Sequence, residues 1–233
     1  KNFKVSLMIV LGIDTCSSVC GVALVEDKLT ISQFLINIPN YHDEKLTLMI
    51  KNLFEIASLN LKDIDAISVA IGPGSFTGIR IGMSLAKGLS LAQDKPLIGV
   101  STLDALAYKL IDLINFFDTD KVCSVIDAKR DEIYFSIYHL KNSVERIYNY
   151  DCKTIEEFYN IINEKVVFIG DGVPKIKNYE KLKNNFFIEG DLNLNDPSII
   201  AKIGCEKLLN NMSNDINFVE PLYIKDFNPK IKK

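Results

Sequence analysis

The chain has 233 residues, 48% of them hydrophobic and 24% charged, with a mean hydropathy of +0.12; this is the composition of a folded globular chain and excludes a disordered or fibrous one. Lys and Arg number 27 against 30 Asp and Glu, a net charge of −3, which excludes a broadly basic nucleic-acid surface though not a local one. The five cysteines (Cys16, Cys20, Cys123, Cys152, Cys205) are odd in number and never spaced C-x-x-C, so neither a disulfide framework nor a zinc ribbon is expected, and a reduced, cytoplasmic compartment fits.

Lys1 and Lys4 precede an apolar run over 5–13, but Asp14 follows at once and no small-x-small site is present. The run is about half a membrane span, so neither a secretory leader nor a membrane anchor is expected; Met8 is a candidate start, with 1–7 an extension. Residues 9–14 are apolar and β-branched and read as a buried strand. Residues 15–18 form a turn, and 20–26 and 29–38 complete a three-stranded meander. A helix follows over 43–58, with His42 or Asp43 as its cap, then a largely apolar fourth strand over 64–71 of the buried, parallel kind. After the sharp turn 72–75, Ser75 caps a helix running to 92. Residues 96–101 form a fifth strand, and Ser101 or Thr102 caps a helix through 114. The order β-β-β-α-β-α-β-α makes a mixed sheet with helices on its faces.

The pattern then begins again. Residues 122–127 are apolar and end in Asp127, as the first strand ends in Asp14. A turn over 128–131, strands over 132–139 and 144–152, a short helix over 154–162 and a strand over 166–169 follow in the same order, less completely. A final helix spans 197–210 and a lysine-rich tail 220–233. The expected organisation is a first lobe over 1–103 with the last helix (197–212) packed back on it, a smaller second lobe over 104–196, and a tail over 213–233.

Two segments carry candidate chemistry. Asp14 at a strand end, followed by Thr15 and Ser17 in a hairpin turn, has the groups to hold a phosphate or a hydrated Mg²⁺; the same residues also serve an ordinary turn through local backbone bonds. Gly72, Gly74 and Ser75 form a glycine-rich turn opening a helix, an anion site in one reading and a close helix–sheet approach in the other. It is not a Walker A loop, because no Lys-Ser/Thr follows Gly78. The helix it opens has only Arg80 and Lys87 as charges, and its Gly78, Gly82 and Ala86 form a smooth stripe. In the preceding helix Leu46, Met49, Ile50, Leu53, Phe54, Ile56 and Ala57 spread over roughly 160° of the wheel, beyond the ~100° a surface helix needs. Either the two helices bury each other and the last helix, or they meet another polypeptide. The charged turn Asp127–Glu132 is a solvated hairpin or a polar contact across the cleft between lobes. Two histidines far apart leave no zinc-protease helix, and Lys225, Lys230, Lys232 and Lys233 read as a frayed tail rather than an RNA contact.

The string Leu11-Gly12-Ile13-Asp14-Thr15-x-Ser17-Ser18 with Gly21-Val22-Ala23-Leu24 resembles the first phosphate hairpin of the actin/sugar-kinase/Hsp70-like (ASKHA) superfamily. The segment from Gly72 to Gly82, with Ala86-Lys87-Gly88-Leu89 after it, is more specific and resembles the TsaB (YeaZ) family. His42-x-Glu44-x-Leu46, Val100-Ser101-Thr102-Leu103, Asp127-Ala128-Lys129-Arg130-x-Glu132-x-Tyr134 and Pro221-x-Tyr223 agree in order, so the likeness runs from Ile9 to Tyr223. Cys16 and Lys129 depart mildly, where Ser and Arg are usual. The resemblance implies an α/β fold of two ribonuclease-H-like lobes and a non-catalytic role in making tRNA threonylcarbamoyladenosine beside the anticodon. It implies a catalytic paralogue, TsaD, carrying the metal-binding histidines missing here, an ATPase, TsaE, and contact with tRNA through their complex. It also implies a homodimer when the chain is alone. No cofactor is implied for the isolated chain, ATP or ADP belonging to the complex, and no catalytic or metal-binding residue is implied. The family's interface comes from the first two helices, here Leu46, Met49, Ile50, Leu53, Phe76, Ile79, Arg80, Gly82, Met83, Ala86 and Lys87. Asp14, Thr15, Ser17, Gly72, Gly74 and Ser75 then stand as vestiges of a phosphate loop. The competing expectation is an ATP-binding phosphotransferase or ATPase of the actin-like superfamily that uses them.

Overall fold

The structure, a computed structural model, describes residues 7–37, 42–212 and 216–225. The capping side chains expected at His42 and Asp43, and Lys1, Lys4, Lys230, Lys232 and Lys233, lie outside the described residues.

The apolar run after Met8 forms β1 (Ile9–Asp14), buried along its whole length and central in its sheet because alternate residues face two separate cores. β2 (Val19–Glu26) and β3 (Leu29–Asn37) return antiparallel beside it, whereas β4 (Ala66–Gly72) and β5 (Leu97–Ser101) run parallel on its other side, in the order β3-β2-β1-β4-β5. Leu11 and Ile13 point to the face covered by α1 (His42–Ala57) and α2 (Phe76–Gln93). Val10, Ala66 and Ala70 point to the opposite face, covered by α3 (Thr102–Tyr108) and, after a long excursion, α6 (Pro197–Leu209), on which Ser68 Oγ donates to Ile200 O at 2.8 Å.

The second half repeats this order. β6 (Lys121–Asp127), β7 (Glu132–Leu140) and β8 (Val144–Thr154) form the meander, and β9 (Val167–Ile169) and β10 (Phe186–Phe187) add in parallel, giving β8-β7-β6-β9-β10. The repeat is therefore complete in strand number, with only its last strand cut to two residues. The short helices α4 (Ile155–Tyr159) and α5 (Val173–Ile176) cover one face and α3 the other. These are two ribonuclease-H-like lobes, each a mixed five-stranded sheet between helices.

Four expectations change. The helix expected to reach 114 ends at Tyr108 and continues as tight turns in which Leu110, Ile111 and Leu113 each donate to the carbonyl three residues back. Leu110, Ile111, Leu113 and Ile114 all pack on the second lobe's core, on more sides than one α-helical face offers. α4 stops at Tyr159 rather than 162, where Ile161 N bonds back to Phe158 O in the same tightened winding. A boundary between 103 and 104 falls inside α3, which Ser101 caps directly from β5 without a linker. The expected frayed tail is laid down over residues 219–225: Val219 is buried in the first core, and Leu222 N donates to Ile71 O at 2.8 Å.

Candidate functional site

The phosphate-loop residues lie together, as the resemblance implies, but they are packed against each other. Asp14 is 1% exposed; its Oδ1 accepts from Cys16 N at 2.9 Å, and both its oxygens accept from Asn195 Nδ2 at 3.1 Å. Burial, partly offset by these two donors, pushes its carboxyl up to about 6. Around it Thr102, Lys109 and Asn195 close a space with no room even for water. Thr15 donates through Oγ1 to Gly78 O at 2.7 Å, and Ser17 Oγ accepts from Val19 N at 3.1 Å.

The glycine-rich turn completes the closure. Ser75 caps α2 by accepting from Gly78 N at 3.2 Å, while its own N–H donates to Cys16 O at 2.6 Å. A Cβ on Gly74 would collide with the carbonyl of Cys16, and one on Gly78 with the carbonyl of Thr15. The glycines at these two positions let the α2 turn touch the β1–β2 turn backbone to backbone. The two turns leave no gap between their backbones at these positions. Among the described residues no three His, Cys, Asp or Glu side chains converge to hold a metal ion.

The expected interface residues divide differently from the sequence reading. Leu46, Met49, Ile50, Leu53, Ile79 and Met83 are at most 6% exposed, and Gly82 and Ala86 are buried too. They cover the chain's own sheet, so the excess breadth of their stripes does not put them on the surface. The Gly78–Gly82–Ala86 stripe, expected to receive another helix, faces inward at all three positions, and a Cβ on Gly82 would strike Thr15 Oγ1. Of the residues named, only Phe76, Arg80 and Lys87 reach solvent. The uncovered apolar surface consists of neighbours instead: Leu48 (48% exposed) and Ile56 (69%) on α1 and Leu91 (71%) on α2. Ser84 and Gly88 are also exposed on α2, and a Cβ on Gly88 would point into open space. The sequence carried the signal for these positions in the scarcity of charge on α2, but hydrophobicity alone drew attention to the wrong face.

Arg80 leaves that face altogether. Its guanidinium lies 3.7 Å from the centroid of the Phe76 ring, and its Nε donates to Tyr223 Oη at 3.1 Å. It belongs to a cleft of about 730 Å³ between the lobes, lined by Pro73, Gly74 and Phe76 on one side, by Lys129, Arg130 and Tyr134 on the other, and by 222–225 along its edge. The charged turn is thus a wall of the cleft rather than a free hairpin. Asp127 at its base is bound by Lys175 at 2.5 Å and Lys129 at 3.6 Å, and Lys225 from the C-terminal segment pairs with Glu132. Tyr223 and Lys225, both within the stretch read in the sequence as tail, belong to the cleft wall; the Pro221-x-Tyr223 likeness pointed to the first of them and nothing pointed to the second.

Comparisons with known proteins agree with this frame. A family model described as TsaD, tRNA N6-adenosine threonylcarbamoyltransferase, matches residues 38–233. The chain is 27% identical over 224 residues to the tRNA threonylcarbamoyladenosine biosynthesis protein TsaB of Escherichia coli strain K12, covering 94% of this chain and 95% of that protein. It is 32% identical over 180 residues to the protein of the same name from Buchnera aphidicola subsp. Schizaphis graminum, covering 75% of this chain and 84% of that one. The solved structure of YeaZ from Pseudomonas aeruginosa is similar in fold, with a TM-score of 0.80 at 23% identity over 93% of this chain and 99% of that one.

Proposed function

The chain belongs to the TsaB (YeaZ) family of tRNA threonylcarbamoyladenosine biosynthesis proteins, and on that premise we propose that it is a non-catalytic subunit whose outer α1–α2 face binds and activates a TsaD-like paralogue. The observation that carries the reading is the set of exposed apolar side chains Leu48, Ile56 and Leu91, with the small residues Ser84 and Gly88 exposed on α2 and the Lys51–Glu55 ion pair exposed on α1. With Arg80 turned into the cleft, Lys87 is the one charged side chain left on α2 outside it. Apolar side chains beside small ones let two helices approach closely and exclude water, which is what the core of a stable interface needs. The match of this chain to a family model described as the transferase itself supports a partner built on the same frame. Two chains on one frame can pair through equivalent helices about an approximate twofold axis, and without the paralogue a second copy fills the same place. The closed phosphate loops fit a subunit that performs no phosphoryl transfer of its own.

In this reading a TsaE-like ATPase joins the pair, tRNA is reached through the complex, and the protein works in the cytoplasm; among the described residues no helix is long and apolar enough to cross a membrane. The test is Gly88→Arg, which adds bulk and charge where a Cβ meets nothing. Light scattering after size exclusion, and co-purification with the TsaD-like protein, are expected to show loss of self-association and partner binding with unchanged thermal stability. If Gly88→Arg still pairs with both itself and the paralogue, the face has been assigned wrongly.

A further inference from the structure

The chain crosses between the lobes in two places, and the two crossings are built differently. The first is α3, which leaves β5 with Thr102, Leu103, Ala105, Leu106 and Ala107 all buried. The second is the stretch 222–225, which belongs to no helix or strand. Leu222 N donates to Ile71 O on β4 at 2.8 Å. Tyr223 Oη accepts from Arg80 Nε at 3.1 Å, and its ring centroid lies 5.4 Å from that of Phe76. Ile224 packs, half-buried, on the second lobe's core, and Lys225 pairs with Glu132 on β7.

These contacts are thin. Tyr223 is 48% exposed, and the paired side chains of Lys225 and Glu132 keep 42% and 26% of their surface. Exposed ion pairs and hydrogen bonds of this kind do little more than offset the entropy of ordering the segment that makes them. The chain just before is held in another way: Val219 is 3% exposed in the first core, where a Cβ on Gly99 would meet its Cγ1. Between the two stands Pro221, with a fixed φ and no N–H to bond. A buried root, a stiff joint and a lightly held end together make a segment that opens by itself while the rest of the molecule stays folded.

We propose that residues 222–225 are a releasable strap across the mouth of the cleft, which lets go as a unit from its root at Val219 while both lobes keep their folds. Release takes Tyr223, Ile224 and Lys225 out of the cleft wall and leaves the Arg80 guanidinium without its hydroxyl acceptor. The strap's contacts lie outside the exposed α1–α2 face, so it stands or falls apart from the partner reading. Hydrogen–deuterium exchange of the full chain, followed at the Leu222 amide, tests it, with the amides of β1, central in its sheet, reporting global unfolding. Leu222 is expected to be protected about a hundredfold less than β1 or lower still, and its exchange is expected to stay flat in low urea while that of β1 climbs, because a local opening exposes little surface. Tyr223→Phe keeps the ring and removes the acceptor, and is expected to speed exchange at Leu222 about threefold to tenfold. Lys225→Gln is expected to speed it roughly twofold to fivefold at low salt and to abolish the acceleration by added salt that the wild type shows. Lys183→Gln, in an exposed pair on the second lobe outside the cleft lining, is expected to change nothing. Exchange at Leu222 that rises with urea in step with β1, or that neither strap variant alters, overturns the proposal.

Discussion

Asp14 ends β1 in a place where water cannot reach its carboxylate, and the two donors it keeps, Cys16 N and Asn195 Nδ2, do not make up for that loss. Its carboxyl holds a proton up to a pH of about 6, against an ordinary value of 3.8. Between these two values the folded state binds the proton more tightly than the unfolded chain, so stability falls as pH rises and reaches its full cost, about 3 kcal/mol, above them. Asp14→Asn keeps an oxygen for both donors and removes the charge. Urea unfolding of this variant is expected to lose the acid-side slope and to gain up to about 3 kcal/mol at neutral pH; an unchanged midpoint there would mean that the carboxylate is solvated. Asp14 itself was legible as the polar end of an apolar run, and the turn reading holds in that its carboxylate accepts from Cys16 N two residues on. Asn195, 181 residues away, was not: a single amide in an irregular segment belongs to no period, and only the closed fold brings it beneath β1.

Among the elements, α2 shows how far a helical wheel can be read. Its boundaries and its Ser75 cap follow from local chemistry and stand as expected. The wheel also shows correctly that apolar residues crowd more than one side, but it carries no information on what lies opposite each side. Met83 and Ala86 meet the chain's own sheet, and Leu91 meets solvent. Two glycines on this helix should therefore respond in opposite directions. Gly78→Ala drives a methyl into the Thr15 carbonyl and is expected to cost roughly 1–3 kcal/mol. Gly88→Ala enters open space and is expected to gain up to about 1 kcal/mol from helix propensity. Chemical denaturation of the two variants checks both signs. The strands were the most legible elements because alternation and burial are local properties, whereas α3 and α4 were overestimated because their apolar content serves turns rather than a longer helix.

For the whole molecule, the repeated strand order was visible in the sequence as strand–Asp–turn, twice over. How the halves are fastened was not visible, because the fasteners are side chains distant in sequence. Asp104, on α3, accepts from Tyr138 Oη on β7 and from Tyr150 Oη on β8, both at 2.8 Å. Asp104→Ala leaves both hydroxyls without that acceptor and is expected to cost about 2 kcal/mol, visible as a lower midpoint of one cooperative thermal transition. Two separate transitions would mean that the lobes unfold independently and that this clasp matters little. The segment 219–225 ties the same lobes from the other end, through Ile71 on β4 and Glu132 on β7. Tied at both corners, the lobes frame a cleft whose wall is finished by the last described stretch of the chain, so anything that enters meets Tyr223 and Lys225 as well as the two sheets' turns.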